Sequence, residues 1–268
     1  MKNILITGAA SGIGKALVKK YLENNYLVYA IDINDIENKD NLVSFKCDIT
    51  SYEDLNKVKD YLLINNIALD MIINVAGIHK MASLVESDTN ILEKVIDVNL
   101  KGTMLVNNTF HSLLDSNGKI IVVTSEVASF DPLPFNGLYN VSKSALDVYA
   151  QALRQELNLL GQKVITIRPG AIKTALSDGS LDDTIKLANE TILYKEQADN
   201  FLHLVKNFMG KPMEAYKLAN YIYKISLKKN PKYIYKKHQN FGLVLLSILP
   251  KRLQCFIIKL LLNKKKKH

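Results

Sequence analysis

Tyr139 and Lys143 stand four residues apart at the start of a helical pattern that spans 140–160, so they share one face of that helix. An ammonium beside a phenol favours the phenolate and lowers a pKa that otherwise sits at ~10. A tyrosine tuned in this way can take a proton from an alcohol or return one to a carbonyl. Ser125 ends a strand-like run 14 residues earlier, where its hydroxyl could hold the reacting oxygen. Asn99 lies in a helical stretch ahead of that run and could order a water behind the lysine. Each residue also has a plain structural reading. Tyr-x-x-x-Lys arises often by chance, a serine after a strand can cap a helix, and Asn99 can be a buried hydrogen-bonding amide.

A second group lies at the amino end. The run 2–6 leads directly into Thr7-Gly8-Ala9-Ala10-Ser11-Gly12-Ile13-Gly14 and then a helical pattern. Glycines let a backbone turn tightly against a pyrophosphate, and a helix start offers free N–H groups with partial positive charge. The spacing is G-x-x-x-G-x-G rather than the usual dinucleotide fingerprint, and a glycine turn between strand and helix can also be incidental. Asp32 ends the second strand-like run, 18 residues past Gly14, where its carboxylate can accept bonds from an adenosine ribose. It would also repel a 2′-phosphate, which favours NAD. Lys15 is placed to meet that phosphate, so NADP stays open, and a solvated strand-end acid is the structural alternative for Asp32.

These groups need a scaffold, and the hydropathy pattern supplies one. Short apolar runs at 2–6, 26–31, 42–47, 70–74, 119–124, 163–168 and 232–235 read as strands covered on both faces. Helical patterns near 13–24, 51–65, 89–114, 140–160 and 213–228 alternate with them; the second opens Thr50-Ser51-Tyr52-Glu53, a capping-box start. The alternation predicts an α/β, three-layer Rossmann fold, a doubly wound parallel sheet of about seven strands. Its carboxyl edge would gather Asp32, Asp48 and Asn74-Val75-Ala76-Gly77 beside the glycine turn. Residues 175–211 hold no strand and are a candidate substrate lid. The reading is one domain over 1–240 with an apolar and basic helical appendage over 241–268.

Charge divides the chain in the same place. The formal charge is +9, and residues 236–268 hold nine basic side chains and no acid, leaving 26 of each sign in 1–235. A neutral body argues against a nucleic-acid-binding face, which needs positive charge over its whole surface. Two distant cysteines, Cys47 and Cys255, and scattered histidines suggest neither a disulfide framework nor a metal site. The run Ile4-Leu5-Ile6 is too short for a signal-peptide core. The expected location is cytoplasmic.

In order and spacing, Thr7 to Gly14, Asp32, Asp48, Asn74 to Gly77, Asn99, Ser125, Tyr139, Lys143 and Pro169-Gly170-Ala171-Ile172-Lys173-Thr174 resemble the short-chain dehydrogenase/reductase family over residues 2–235. The resemblance implies hydride transfer between NAD(P) and a secondary alcohol or ketone, with Tyr139 as general acid/base. It implies Lys143 on the nicotinamide ribose, Ser125 on the substrate oxygen and Asn99 in a proton relay. Gly8, Ser11, Ile13 and Gly14 would line the phosphates, Asp48 the adenine side and Asn74 the adenosine ribose region, with Gly12, Ala76 and Gly77 also in the cofactor site. Pro169, Gly170 and Ile172 would border the cofactor and Thr174 its amide. A homo-dimer or homo-tetramer through helices near 100–114 and 140–160 is implied as well. Two positions depart from the family pattern: Val75 replaces a usual alanine or asparagine, and Glu126 replaces a usual second serine. Glu126 is then either a contact for a polar substrate group or a structural acid.

From Phe241 to Leu262, 15 of 22 residues are Phe, Leu, Ile, Val or Cys, but Pro250-Lys251-Arg252 splits the stretch. A membrane-spanning helix is therefore not expected. Leu253, Phe256, Ile257, Leu260 and Leu261 fall on one helical face, and flanking lysines suit an anionic membrane surface, the inner face in a cytoplasmic protein. A helix packed on its own domain or on a dimer mate is the alternative. The resemblance extends to this tail, since family members that act on steroids, retinoids and fatty-acid derivatives have similar apolar and basic C-termini. It implies a lipophilic substrate, whose pocket the lid and the apolar loop Phe130, Pro132, Leu133, Pro134 and Phe135 would build. The rival readings are a cofactor-binding scaffold or redox sensor without turnover, and nucleic-acid binding by the lysine tail.

Overall fold

A computed structural model of the chain describes residues 1–208 and 211–264; Lys265, Lys266 and Lys267 of the expected basic tail lie outside the described residues. The strands are β1 (Lys2–Thr7), β2 (Tyr26–Asp32), β3 (Leu42–Lys46), β4 (Leu69–Asn74), β5 (Leu114–Val123), β6 (Lys163–Pro169), β7 (Ile172–Lys173), β8 (Met213–Glu214) and β9 (Ile234–Lys237). Seven of them form one sheet in the order β3-β2-β1-β4-β5-β6-β9, paired in parallel throughout, and β7 pairs with β8. The doubly wound sheet read from the sequence is thus the observed one.

Period-two alternation explains its apolar runs. Ile4 and Ile6 point into one core with Val28, Ala30, Ile73, Ile121 and Ile165. Leu5 points into the other with Tyr29, Ile72, Ile120 and Val164. A strand buried on both faces must be apolar at every position, and each such side chain contributes about 1.5–3 kcal/mol by leaving water. Helices α1 (Gly12–Leu22) and α8 (Ala215–Ser226) cover the first face through Leu17, Tyr21, Leu218 and Ile222. Helices α2 (Tyr52–Ile64), α4 (Thr103–Phe110) and α5 (Gly137–Asn158) cover the second through Leu55, Phe110 and Leu146.

Several expectations change in detail. The helix over 89–114 is three pieces: α3 (Thr89–Ile96), a π-helical turn (Asp97–Gly102) and α4, closed by a 3-10 turn at His111–Leu113. One widened turn leaves hydropathy periodicity almost untouched, so the pattern could not show it. The strand expected over 119–124 begins at Leu114, because Asp115, Ser116 and Asn117 are exposed and carry no apolar signal. The cap of α2 is Ser51, which accepts from Asp54 N at 3.2 Å; Asp54 in turn accepts from Asp48 N, so the Thr50–Glu53 box is not formed. The last strand lies two residues later than the run at 232–235.

The lid consists of α6 (Ala175–Glu190) and α7 (Lys195–Phe208), and the tail of α9 (Phe241–Ile248) and α10 (Lys251–Leu262). These are not separate bodies. Leu262 and Ile258 of α10 join Ala198, Phe201 and Val205 of α7 in a third core with Met81, Leu133 and Phe135.

Candidate active site

The turn after β1 is shaped by contacts only glycine allows. Gly8 and Gly12 take φ of 67° and 49°. A Cβ on Gly8 would stand 2.8 Å from Ala76 Cα, and one on Gly14 would stand 1.9 Å from the carbonyl oxygen of Gly8. Thr7 Oγ1 accepts from Val75 N at 3.1 Å and Ala76 N at 3.2 Å, joining the β1 and β4 loops. Ser11 caps α1 in extended conformation without a side-chain capping bond, and the first turn holds no acid. The start of α1 therefore fits a pyrophosphate. Gly12 lies against Thr174, whose Cγ2 would be 3.0 Å from an added Cβ, which brings the two ends of the cofactor set together.

Asp32 is buried at the end of β2. Its Oδ2 accepts from Ala10 N at 3.0 Å, and its Oδ1 from Asn34 N at 2.9 Å and Asn34 Nδ2 at 3.0 Å. The carboxylate therefore also braces the glycine turn, a role the sequence did not reveal. Asn74 is buried and donates to Asn107 Oδ1 at 2.9 Å, while its own Oδ1 has no hydrogen-bond partner among the described residues. A buried acceptor left open is costly unless a ligand donor completes it. Asp48 stands apart, exposed, accepting from Thr50 N and Oγ1 at 2.8 Å in its own turn.

At the other end, Tyr139 and Lys143 lie in the first two turns of α5, facing the end of β5. Lys143 is buried, its Nζ 3.4 Å from Val123 O and 5.8 Å from the Tyr139 ring centre. Burial pulls Lys143 down to about 8. It pushes Tyr139 up to about 12, opposed by a hydrogen bond to Ser125 and reinforced by the charge of Glu126. The lowering of the phenol pKa by Lys143 expected from the four-residue spacing is thus not what the protein alone displays, because desolvation disfavours both charged forms. Ser125 takes up its structural reading, capping the turn Glu126–Ser129 by accepting from Val127 N at 3.4 Å, while its hydroxyl stays beside Tyr139.

Asn99 sits in the π-helical turn, completely buried. Its Oδ1 accepts from Ile78 N at 2.7 Å, and its Nδ2 donates to Ile78 O and Ser142 Oγ, both at 2.9 Å. It ties the β4 loop to α5. Gly77 runs between, since a Cβ there would lie 3.0 Å from Asn99 Oδ1 and 3.3 Å from Lys143 Nζ. Glu126 makes a structural contact, its Oε2 accepting from Asn240 N at 2.6 Å at the root of α9. Gly170 is forced, because an added Cβ would meet His238 O at 1.8 Å. Pro169 ends β6, Ile172 enters the first core, and Thr174 closes a capping box with Ser177 at the start of α6.

Three contacts were not visible in the sequence. The His79 ring lies 4.1 Å from the Tyr139 ring, held by Asn136 Oδ1 at 2.8 Å, and burial lowers its pKa. Lys80 pairs with Asp183 of α6 at 2.7 Å. Glu86 accepts from Thr191 Oγ1, Ile192 N and Leu193 N between the lid helices. The only hint for His79 is its place two residues past Gly77. Between the β4 loop, α3 and α6 lies a cavity of about 330 Å³ bordered by Ile78, His79, Ile91, Val95 and Leu176.

A glycine turn at the carboxyl edge of a parallel sheet, with a half-buried tyrosine and a buried lysine one helix turn apart, defines a dinucleotide-binding α/β protein with alcohol and carbonyl chemistry at hand. The family model described as short chain dehydrogenase matches residues 2–184. The chain belongs to the short-chain dehydrogenase family and is an NAD(P)-dependent oxidoreductase acting on CH–OH and carbonyl groups. It is 30% identical over 236 residues to short-chain dehydrogenase srdE of Neurospora crassa, an alignment covering 86% of this chain and 80% of that protein. It is 35% identical over 188 residues to the NADPH-dependent 1-acyldihydroxyacetone phosphate reductase of Schizosaccharomyces pombe, covering 67% of this chain and 63% of that one. A short chain dehydrogenase family protein from Francisella tularensis superposes with a TM-score of 0.73 at 25% identity, covering 88% and 96% of the two chains.

Proposed function

We propose that this protein interconverts a lipophilic secondary alcohol and its ketone, with Tyr139 as general acid/base and NAD as the preferred cofactor. The observation that carries the reading is Tyr139, hydrogen-bonded to Ser125 and four residues from the buried Lys143, at the carboxyl edge of the sheet. When bound, the nicotinamide supplies or accepts the hydride. Tyr139 Oη gives or takes the proton at the substrate oxygen, and Ser125 Oγ donates a hydrogen bond to that oxygen. Lys143 would hold the nicotinamide ribose and contribute positive charge beside it. Asn99 serves the relay by fixing the Ile78 carbonyl and the β4 loop, since both of its amide atoms are committed there. Asp48 would approach the adenine side.

The apolar cavity wall and the third core, which joins Phe135 and Leu133 to the lid, support a lipophilic substrate. A panel of steroid, retinoid and aliphatic alcohols, followed by NADH formation, tests that class; turnover confined to small polar alcohols would refute it.

Asp32 carries the NAD preference, although the Schizosaccharomyces pombe relative is named NADPH-dependent. Asp32→Asn removes the charge but keeps an acceptor for Ala10 N. Selectivity for NAD over NADP is expected to fall roughly tenfold; unchanged selectivity would remove Asp32 from this role.

Lys143 gives the reading a pH signature. With its pKa pulled down to about 8, the free enzyme holds the ammonium below that pH and loses it above. Cofactor affinity should therefore be flat at neutral pH and weaken above pH ~8, by up to tenfold per unit. A dissociation constant that does not change across this range would contradict a charged Lys143 on the ribose.

The outer faces of α4 and α5 expose Met104, Val141 and Val148, which supports a homo-dimer or homo-tetramer formed through them. A cytoplasmic location accords with two free cysteines, one buried and one exposed.

A further inference from the structure

Helices α9 and α10 are fixed on one side and bare on the other. Ile258 and Leu262 insert into the third core against α7. Asn200 Nδ2 donates to Leu262 O at 2.8 Å and Gln197 Nε2 to Asn263 Oδ1 at 2.7 Å. At the opposite end Lys251 pairs with Asp131 of the pocket loop, and Asn240 N bonds Glu126. The face turned outward is apolar: Phe241 is 72% exposed, Ile248 73%, Phe256 56% and Leu260 56%. Leu253, Phe256, Leu260 and Leu261 of the helical face read from the sequence all stay exposed, so docking on its own domain does not cover it.

We propose that this face lies on an anionic membrane surface and that the lid built against it takes its substrate from the bilayer. The second clause rests on the proposed oxidoreductase reading; the first does not. Charge complementarity selects the occupant. Residues 236–268 carry nine basic side chains and no acid, and Lys251, Arg252 and Lys259 border the apolar side chains along α10. Two copies meeting through this face would set like charges opposite one another. A nucleic acid would meet the charge but leave Phe256 and Leu260 in contact with a polar backbone. An acidic lipid surface meets both halves, with apolar side chains entering the interface and lysines at the headgroups. Among the described residues no helix is long and apolar enough to cross a membrane, and Pro250 breaks the pair into segments of 8 and 12 residues. The contact is therefore in the plane of the surface. Because α10 is bonded to α7 and to Asp131, that contact holds the lid and the pocket loop at the bilayer.

Full-length protein is sedimented with vesicles of phosphatidylcholine alone or mixed with phosphatidylserine. Binding to the mixed vesicles is expected to be at least tenfold tighter and to weaken steeply with salt. The double variant Phe256→Ser, Leu260→Ser should lose that binding while its turnover of a short, water-soluble alcohol is unchanged. Anionic vesicles should raise wild-type turnover of a long-chain alcohol dissolved in them and leave the double variant unaffected. Equal binding to both vesicle types, or full binding by the variant, overturns the docking face. Loss of self-association in the variant without any vesicle binding assigns the face to a second copy and overturns it as well. Vesicle binding is read separately from catalysis, so Tyr139→Phe should bind vesicles as wild type does. Its failure to affect turnover would refute the acid/base reading, not the docking face.

Discussion

Replacing Tyr139 by phenylalanine is expected to lower kcat/KM by about 10²–10⁴ while leaving the cofactor dissociation constant within a few-fold of wild type. The phenol hydroxyl is the group hydrogen-bonded to Ser125, and it can pass a proton to or from a substrate oxygen held at that site. Removing it leaves the ring in contact with His79, so the pocket keeps its shape. The raised phenol pKa gives the experiment a second reading. Burial, opposed by Ser125 and reinforced by Glu126, holds Tyr139 at about 12, so efficient proton transfer near neutral pH requires a favourable charge brought closer than Lys143 stands in the free protein. Activity of wild type against pH should therefore show a lower apparent pKa with cofactor bound than free-tyrosine titration shows without it. Full activity in Tyr139→Phe on any substrate that wild type turns over would refute the mechanism.

Gly14→Ala should be as damaging by a different route. An added Cβ would stand 1.9 Å from the Gly8 carbonyl oxygen, so the turn between β1 and α1 must open. Overpacking of this kind costs about 1–3 kcal/mol, and here it also moves the helix amides that fit a pyrophosphate. Cofactor affinity is expected to fall by more than tenfold, measured by quenching of protein fluorescence or by calorimetry, with the midpoint of chemical unfolding lowered. Gly179, which has nothing within 4 Å of an added Cβ, is the matched control. Gly179→Ala should leave cofactor affinity unaltered. Equal effects at the two positions would mean that the glycine turn has no special part in binding.

The sheet was legible because strands buried on both faces must be apolar throughout, and Ile4-Leu5-Ile6 or Ile120-Ile121-Val122 leave no other economical reading. The placement of the candidate site residues was legible because their spacing follows from strand ends and helix turns: Ser125 after β5, Tyr139 and Lys143 one turn apart on α5. What the pattern left out were contacts between segments distant in the chain. Asn34 on Asp32, His79 on Tyr139 and Glu86 across the lid depend on how loops fold back, which no local period encodes. The π-helical turn that presents Asn99 was hidden for the same reason, since one extra residue per turn scarcely alters the apolar rhythm. The tail was half legible. Its exposed stripe was readable from helical spacing, but the anchor of Leu262 and Ile258 on α7 required the lid to be in place.

The most direct test is turnover itself: full-length protein, saturating NAD, and the panel of lipophilic secondary alcohols, with NADH formation and ketone measured together. One NADH per ketone formed, on at least one alcohol of the panel, is the predicted result. Saturable NAD binding with no turnover of any alcohol, and no ketone reduction in the reverse direction, would contradict it and leave a cofactor-binding scaffold in its place.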